Sequence, residues 1–415
     1  MPGVFNCKEG KKMSVELLER VETREYLLDT EPTVKDLEER TAVVRKAGVM
    51  TPPIEKLGYN ISPLVYMEDV RGDAAPGNSF KARGAYYAMT KLVARLGKKF
   101  KVATASAGNH AQGVANAAEL LGVEADIYMP EGTPEVKIQG VRDLASEDLV
   151  TVYTKNPDTN KPFYSFDETQ LAAQTAEDTE FLSPFNNPDV IAGQGTLAYE
   201  ALKQRPDTDR LFVTVGGGGL LAGTLEAVAA MKREGLVKPD LKVVAVMLEG
   251  NDSLLETINN NWTLSPATGV NDFAEGGAVE TIGDIPAVMI EKYKDHLETE
   301  IVTFDDMARA LWELDFANQS NGSSLPVDET TSLVTRAGAM VRAQRRNLEG
   351  GHGKQNWLTV TTGSNASEAK LQKLRDRYME MYLEAYKQQE TEAVEQESTT
   401  KFGHKCLSLS GFIGR

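Results

Sequence analysis

The sequence predicts an α/β protein of two open twisted domains, and three observations carry that reading. Short apolar runs such as Leu211-Phe-Val-Thr-Val215 and Leu241-Lys-Val-Val-Ala-Val-Met-Leu248 alternate with segments of helical periodicity. Small, polar or glycine-rich loops follow several of these runs, at the strand ends where open α/β sheets bind ligands. With 415 residues the chain can bury two cores, and 41% hydrophobic and 26% charged residues are ordinary for a soluble globular protein.

Taken in order, residues 14 to 48 read as helices. Leu17, Leu18 and Val21, then Leu37, Val43 and Val44, keep helical spacing until Thr51-Pro-Pro53 breaks it. Leu64-Val-Tyr-Met67 is a short strand. The loop Arg71-Gly-Asp-Ala-Ala-Pro-Gly77 then sets Lys81 at the junction with a helix running from Tyr86 to Arg95. Phe100 to Ala105 is a strand, and the helix after its loop ends at Gly122, which suits a left-handed cap. A strand from Ala125 to Met129 and a helix from Pro134 to about Leu144 come next. They lead to a strand from Leu149 to Tyr153 and a helix opened by the capping box Ser165-x-x-Glu168. After a strand at Phe181-Leu182, the segment Ser183 to Thr196 enters another helix. Leu211 to Val215 meets four glycines, and a helix from Leu220 to about Lys232 follows. The strand Leu241 to Leu248, helices around 254–258, 305–316 and 329–342, and the strand Trp357 to Thr361 complete the alternation. From Ser367 the chain is charged. Leu371, Leu374, Tyr378, Met381 and Tyr382 make one stripe of a docked helix before a frayed, partly disordered end.

Charge and cysteine content narrow the function. A net charge of −16, with no offsetting basic cluster, speaks against nucleic acid and anionic membranes as partners. Cys7 and Cys406 stand near opposite ends and form no metal spacing, as expected in a reduced compartment. The N-terminal stretch lacks an apolar signal region, and no run is long enough to span a bilayer. A cytoplasmic protein is expected.

Four stretches carry chemistry. Lys81 stands at a helix start, where free amides and the helix dipole disfavour an ammonium and favour a nucleophilic amine. An exposed helix-start lysine is the plainer alternative. Gly216, Gly217, Gly218 and Gly219 follow a strand and open a helix, so their amides suit a phosphate. Gly217-x-Gly219-x-x-Ala222 also matches a dinucleotide fingerprint, with Glu249 ending the next strand, but that reading leaves Lys81 without a role. Ser106, Ala107, Gly108, Asn109 and His110 form a small polar loop whose amides and hydroxyl suit a carboxylate, His110 being either packed or catalytic. A nucleophilic lysine, a phosphate cradle and a carboxylate loop together point to pyridoxal 5'-phosphate acting on a small amino acid.

Ser79-Phe-Lys-Ala-Arg-Gly-Ala85, Ser106-Ala-Gly-Asn-His-Ala-Gln-Gly113, Asp189-Val-Ile-Ala-Gly-Gln-Gly-Thr196 and Gly216-Gly-Gly-Gly-Leu220 together resemble the threonine dehydratase (threonine ammonia-lyase) family. The likeness spans roughly residues 50 to 365. It implies a fold-type II pyridoxal-phosphate enzyme with the cofactor in the cleft between two domains. Residues 1–100 and 188–365 would form the large cofactor-binding domain, 101–187 the small substrate-binding domain, and 366–415 a helical tail. By the same resemblance Lys81 would carry the cofactor and later move the α-proton, and Phe80 would stack by the ring. Asn109 would bond the phenolic oxygen, Gly216 to Gly219 and Leu220 would hold the phosphate, and Thr362 would face the ring nitrogen. Ser106 to His110 would grip the substrate carboxylate. The implied reaction eliminates the β-hydroxyl of L-threonine or L-serine to give a 2-oxo acid and ammonia, in a homo-oligomer of two or four copies.

Departures from the family pattern qualify this. The usual Glu-Pro-Ala-Gly segment is replaced by Val327-Asp-Glu-Thr-Thr-Ser332, which leaves one side of the ring pocket unassigned. Cation-binding relatives use a glutamate represented by Glu249, but Ser253 and Leu255 stand at its partner positions, so no metal is expected. The short stretch after Asn365 is not expected to form a regulatory domain. In resembling serine racemases the second acid is a serine at the position of Ala107, which implies elimination without inversion. A lyase for another β-substituted amino acid, or a catalytically silent amino-acid-binding protein, are the alternatives.

Overall fold

A computed structural model gives the fold over residues 27–49, 59–62, 65–71, 77, 79–321, 329–351, 353–363, 367–385 and 387–388. Cys7, Cys406, the helix expected over 14 to 26, the Thr51-Pro53 break, Val327, Asp328, Asn365 and the end of the tail lie outside these residues.

Helix α1 (Val34–Arg45) opens behind a reciprocal cap: Thr33 Oγ1 accepts from Asp36 N, and the Asp36 carboxylate accepts from Thr33 N at 2.7 Å. Strands β1 (Tyr59–Ser62) and β2 (Val65–Arg71) pair antiparallel. Next come α2 (Lys81–Leu96), β3 (Lys101–Ala105), α3 (Asn109–Leu121), β4 (Glu124–Tyr128), α4 (Glu135–Arg142), β5 (Val150–Tyr153), α5 (Phe166–Thr175) and β6 (Thr179–Phe181). The alternation continues through α6 (Pro188–Gln204), β7 (Arg210–Thr214), α7 (Gly219–Arg233), β8 (Lys242–Leu248), α8 (Ser253–Asn259), α9 (Asp284–Lys292) and β9 (Leu297–Val302). It ends with α10 (Phe304–Asn321), α11 (Thr330–Leu348), β10 (Gln355–Thr361) and a helix α12 over residues 368–385.

Two sheets result. One has six strands in the order β1-β2-β10-β7-β8-β9, parallel except for the β1–β2 pair. The other is fully parallel, in the order β5-β4-β3-β6. In both, ligand loops gather at the carboxyl ends of the parallel strands. Gly122 takes the left-handed conformation at the end of α3, φ 63°, as expected. Ser165 Oγ accepts from Glu168 N, while the Glu168 carboxylate accepts from Tyr164 N rather than from the cap residue itself.

The sequence reading missed β1, α9 and β9. Strand β9, Leu-Glu-Thr-Glu-Ile-Val, carries two glutamates that interrupt its apolar pattern. They meet cations: Glu300 accepts from Arg345 of α11 at 2.7 Å, and Glu298 is held by Arg342 of α11 and by Arg210 of β7, the latter at 3.1 Å. Counter-charges supplied from distant segments turn a polar stretch into a sheet edge.

Helix α6 fastens the two halves of the fold. Its face toward α2 carries Gly193, where a Cβ would come 2.7 Å from the Arg83 carbonyl oxygen and from Gly84 Cα. Its face toward α7 carries Gly195, where a Cβ would lie 2.6 Å from the Gly223 carbonyl oxygen. Glycine is required at both places because backbone meets backbone. A buried ion pair, Arg83 Nη1 to Glu200 Oε2 at 2.9 Å, ties α2 to α6 beside the first of these contacts. Gly193→Ala should therefore force α2 and α6 apart and lower stability by about 1–3 kcal/mol. Urea unfolding measures the loss, and an unchanged midpoint would refute the close-contact reading.

Candidate active site

Three parallel strands deliver loops to one cleft: β3 ends at Ser106–His110, β7 at the glycine turn, and β10 at Thr362-Gly363. Helix α2 starts at Lys81 itself, earlier than the Tyr86 start expected from sequence. Its root is fastened to the end of β10. Phe80 N donates to the Thr362 carbonyl at 3.2 Å, and Ser79 Oγ donates to the same carbonyl at 3.1 Å. Lys81 N in turn donates to Ser79 Oγ at 3.3 Å.

The Lys81 side chain is partly open to the cleft, yet its amine is enclosed. Nζ donates to the Pro184 carbonyl at 2.8 Å and lies 5.3 Å from the centre of the Phe80 ring. Loss of water around the ammonium pushes its pKa down to about 8, against the pull of the Glu329 carboxylate. His110 is not at the cleft surface. Its ring is 2% exposed, with Nε2 3.2 Å from the Leu182 carbonyl. Burial first, and the charge of Lys81 second, push its pKa down to about 3, so it is a neutral packed ring. Ser106, Ala107, Gly108 and Asn109 stay partly exposed, and Ser106 Oγ accepts from Gly108 N at 3.3 Å.

The glycine turn has no room for side chains. The Phe185 ring lies directly on Gly217, and the Gly276 carbonyl lies directly on Gly216. Gly218 adopts φ +86°, and a Cβ there would also meet Pro286 at 2.9 Å. Gly283 N donates to the Gly217 carbonyl at 3.1 Å and steadies the turn from behind. The first amides of α7, from Gly219 onward, have no acceptor within the helix, so the turn suits a phosphate-sized anion.

Glu329 closes the side of the pocket that the sequence left unassigned. Asn109 Nδ2 donates to Glu329 Oε2 at 3.1 Å, and Thr362 Oγ1 lies 2.8 Å from Glu329 Oε1. Ser332 Oγ accepts from Thr362 N at 2.9 Å and lies 3.1 Å from Thr362 Oγ1. Burial raises the pKa of Glu329, and the bonds from Asn109 and Thr362 oppose that shift. Neither Glu329 nor Pro184 and Phe185 emerged as site residues from sequence. The signals were one of two adjacent carboxylates in the departing segment Val327–Ser332 and an aromatic inside Ser183–Thr196, each indistinct until the loops are folded together.

An enclosed amine beside an anion cradle fits a phosphorylated carbonyl compound. The comparisons agree. A family model described as pyridoxal-phosphate dependent enzyme matches residues 71–363. The biosynthetic L-threonine dehydratase of Haemophilus influenzae is 35% identical over 340 residues, 80% of this chain and 60% of that protein. The processed threonine deaminase isoform 2 of Solanum lycopersicum superposes with a TM-score of 0.65 at 28% identity, covering 84% of this chain and 95% of that one. A pyridoxal 5'-phosphate-dependent aspartate racemase superposes with a TM-score of 0.63 at 27% identity, covering 83% and 98%. The chain spans about half to three fifths of the length of the first curated relatives it matches.

Amine chemistry offers a check independent of any ligand. With its pKa pushed down to about 8, Lys81 should react with a small acylating reagent about tenfold faster per pH unit up to that point and then level off. Solvent lysines should keep accelerating toward pH ~10. Mass spectrometry of the Lys81 peptide reads the profile, and a profile like that of the surface lysines would contradict the site.

Proposed function

The chain belongs to the pyridoxal-phosphate-dependent enzyme family, and from that premise we propose that it is an L-threonine (and L-serine) ammonia-lyase. The products are 2-oxobutyrate or pyruvate, and ammonia. One observation carries the reading: the enclosed Lys81 amine is rooted on the strand end that holds Thr362, beside a glycine cradle. The similarity to proteins named threonine dehydratase and threonine deaminase supports the choice of substrate.

Bound pyridoxal phosphate supplies an electron-withdrawing ring that makes the α-C–H bond of an amino acid acidic. In this reading Gly216 to Gly219 and Leu220 hold the phosphate with backbone amides. Lys81 holds the carbonyl end, Phe80 flanks the ring, Asn109 bonds the phenolic oxygen, and Thr362 faces the ring nitrogen. Ser106, Ala107, Gly108 and Asn109, with the backbone of His110, bind the substrate carboxylate. Lys81 Nζ then takes the α-proton, and its lowered pKa keeps a useful fraction of the amine unprotonated near neutrality. Ala107 carries only a methyl group, so this position offers no second acid to invert the α-carbon; the β-hydroxyl would instead leave as water with the proton that Lys81 took, and a later water would replace the amino group, releasing ammonia and the 2-oxo acid. Residues 101–187 act as the substrate domain within a large domain of 1–100 and 188–365. A cytoplasmic homo-oligomer belongs to the same reading; among the described residues no helix is long and apolar enough to cross a membrane.

A panel of amino acids assayed for 2-oxo acid tests the proposal. L-threonine and L-serine should release it and Lys81→Ala should release none. Activity surviving in that variant would sink the assignment. Chiral chromatography of residual L-serine should find negligible D-serine with the unmodified protein and some with Ala107→Ser. D-serine formed as fast as pyruvate by the unmodified protein would overturn the elimination reading.

A further inference from the structure

Glu329 stands at the N-cap position of α11, where free amides usually hold a carboxylate ionised, yet its side chain makes no capping bond. It reaches into the cleft instead. The groups facing it are Lys81 at the start of α2, Asn109 at the start of α3, Thr362 after β10, and Glu275 in the turn Asp272–Gly277. Lys81 gives its amine to Pro184 and makes no ion pair with Glu329, and Glu275 is engaged by Lys137 at 2.8 Å and Lys370 at 2.9 Å. Glu329 is thus a carboxyl held by two polar neighbours, with no ion-pair partner among the described residues. Burial without an ion pair raises its pKa, with the bonds from Asn109 and Thr362 and the charge of Lys81 opposing the shift.

The bond between Glu329 Oε1 and Thr362 Oγ1, 2.8 Å, can run either way, because the hydrogen belongs to whichever oxygen is protonated. Thr362 is 1% exposed, so its single hydroxyl hydrogen is shared among fixed neighbours. Ser332 has its own carbonyl acceptor, Gly363 O at 3.2 Å. If Glu329 is ionised it can only accept; the Thr362 hydrogen points to it, and Thr362 shows lone pairs to anything else. If Glu329 is neutral, its O–H donates to Thr362 Oγ1 and the threonine hydrogen is freed; Ser332 Oγ already accepts from Thr362 N at 2.9 Å and Gly363 N at 3.4 Å, which leaves the cleft as the direction for that hydrogen.

We propose that Glu329, kept as the neutral acid, is a positioning residue that fixes Thr362 as a hydrogen-bond donor toward the bound cofactor. This rests on the proposed reading of the cleft, with Thr362 at the ring nitrogen. It makes the protonation of one carboxyl decide whether that nitrogen is offered a hydrogen or a lone pair. Proton count balances throughout: one hydrogen on Glu329 and one on Thr362 in the donor state, and only one between them once Glu329 has lost its proton to solvent.

The test is nitrogen-15 NMR of the holoenzyme loaded with ring-labelled pyridoxal phosphate, comparing the wild type with Glu329→Gln and Thr362→Val. A glutamine keeps an acceptor for Asn109 and a donor for Thr362, but cannot ionise. At neutral pH the wild-type and Glu329→Gln resonances should coincide, at a shift of an unprotonated, hydrogen-bonded nitrogen. As pH rises the wild-type resonance should move toward that of Thr362→Val, and Glu329→Gln should not move. A protonated-nitrogen shift in the wild type alone, the same transition in both proteins, or no transition in either would overturn the proposal. A cofactor-loaded protein that makes no 2-oxo acid would sink the lyase assignment while these resonances still decide the role of Glu329. A protein that takes up no cofactor overturns both.

Discussion

The cleft depends on two residues that extend β10 past the sheet. The Thr362 carbonyl accepts from both Ser79 and Phe80, and the Gly363 carbonyl accepts from Glu329 N at 3.1 Å. Lysine and carboxyl, separated by most of the chain, are thereby hung from one peptide segment. The level of that segment is set by the parallel pairing of β10 with β7, where Thr359 lies opposite Phe212. A one-residue slip would turn every inward side chain outward and carry Thr362 away from the glycine turn that ends β7.

Electrostatics in the cleft follow from this shared anchor. Burial weakens the charged form of Lys81 and of Glu329 alike, while their mutual attraction opposes both shifts. Desolvation wins for each because the two groups do not form a contact ion pair. The result is a pair of groups whose charged forms are both weakened by burial, unlike Arg83 and Glu200, which are locked in a close buried pair.

Much of this was legible in the residues. Strands β7 and β8 are continuous apolar runs because helices cover both faces, so their pattern needs no tertiary context. Lys81, the four glycines and the loop Ser106 to His110 were visible because each sits at a strand or helix end with loop chemistry around it, whereas the separate roles of Asn109 and Thr362 came only from the family resemblance. The rest was hidden by distance. Glu329 acquires meaning only from Asn109, 220 positions away, and β9 is a strand only because Arg342 and Arg345 neutralise its glutamates. His110 could not be sorted from sequence, since a packed and an exposed histidine look alike until Leu182 is seen beside its ring.

The contact at Gly193 has a consequence for how this chain can vary. Most tight places in a core are side chain against side chain, and a bulky change on one side can be offset by trimming the other. Here the nearest obstructing atoms are the Arg83 carbonyl and Gly84 Cα, which substitution elsewhere cannot shorten, with Tyr87 Cβ just beyond them at 2.9 Å. Trimming a neighbouring side chain therefore cannot by itself make room for a larger residue 193. A change at the crossing that holds the lysine helix must be met by moving the two helices apart, and so at the expense of stability, rather than by repacking side chains.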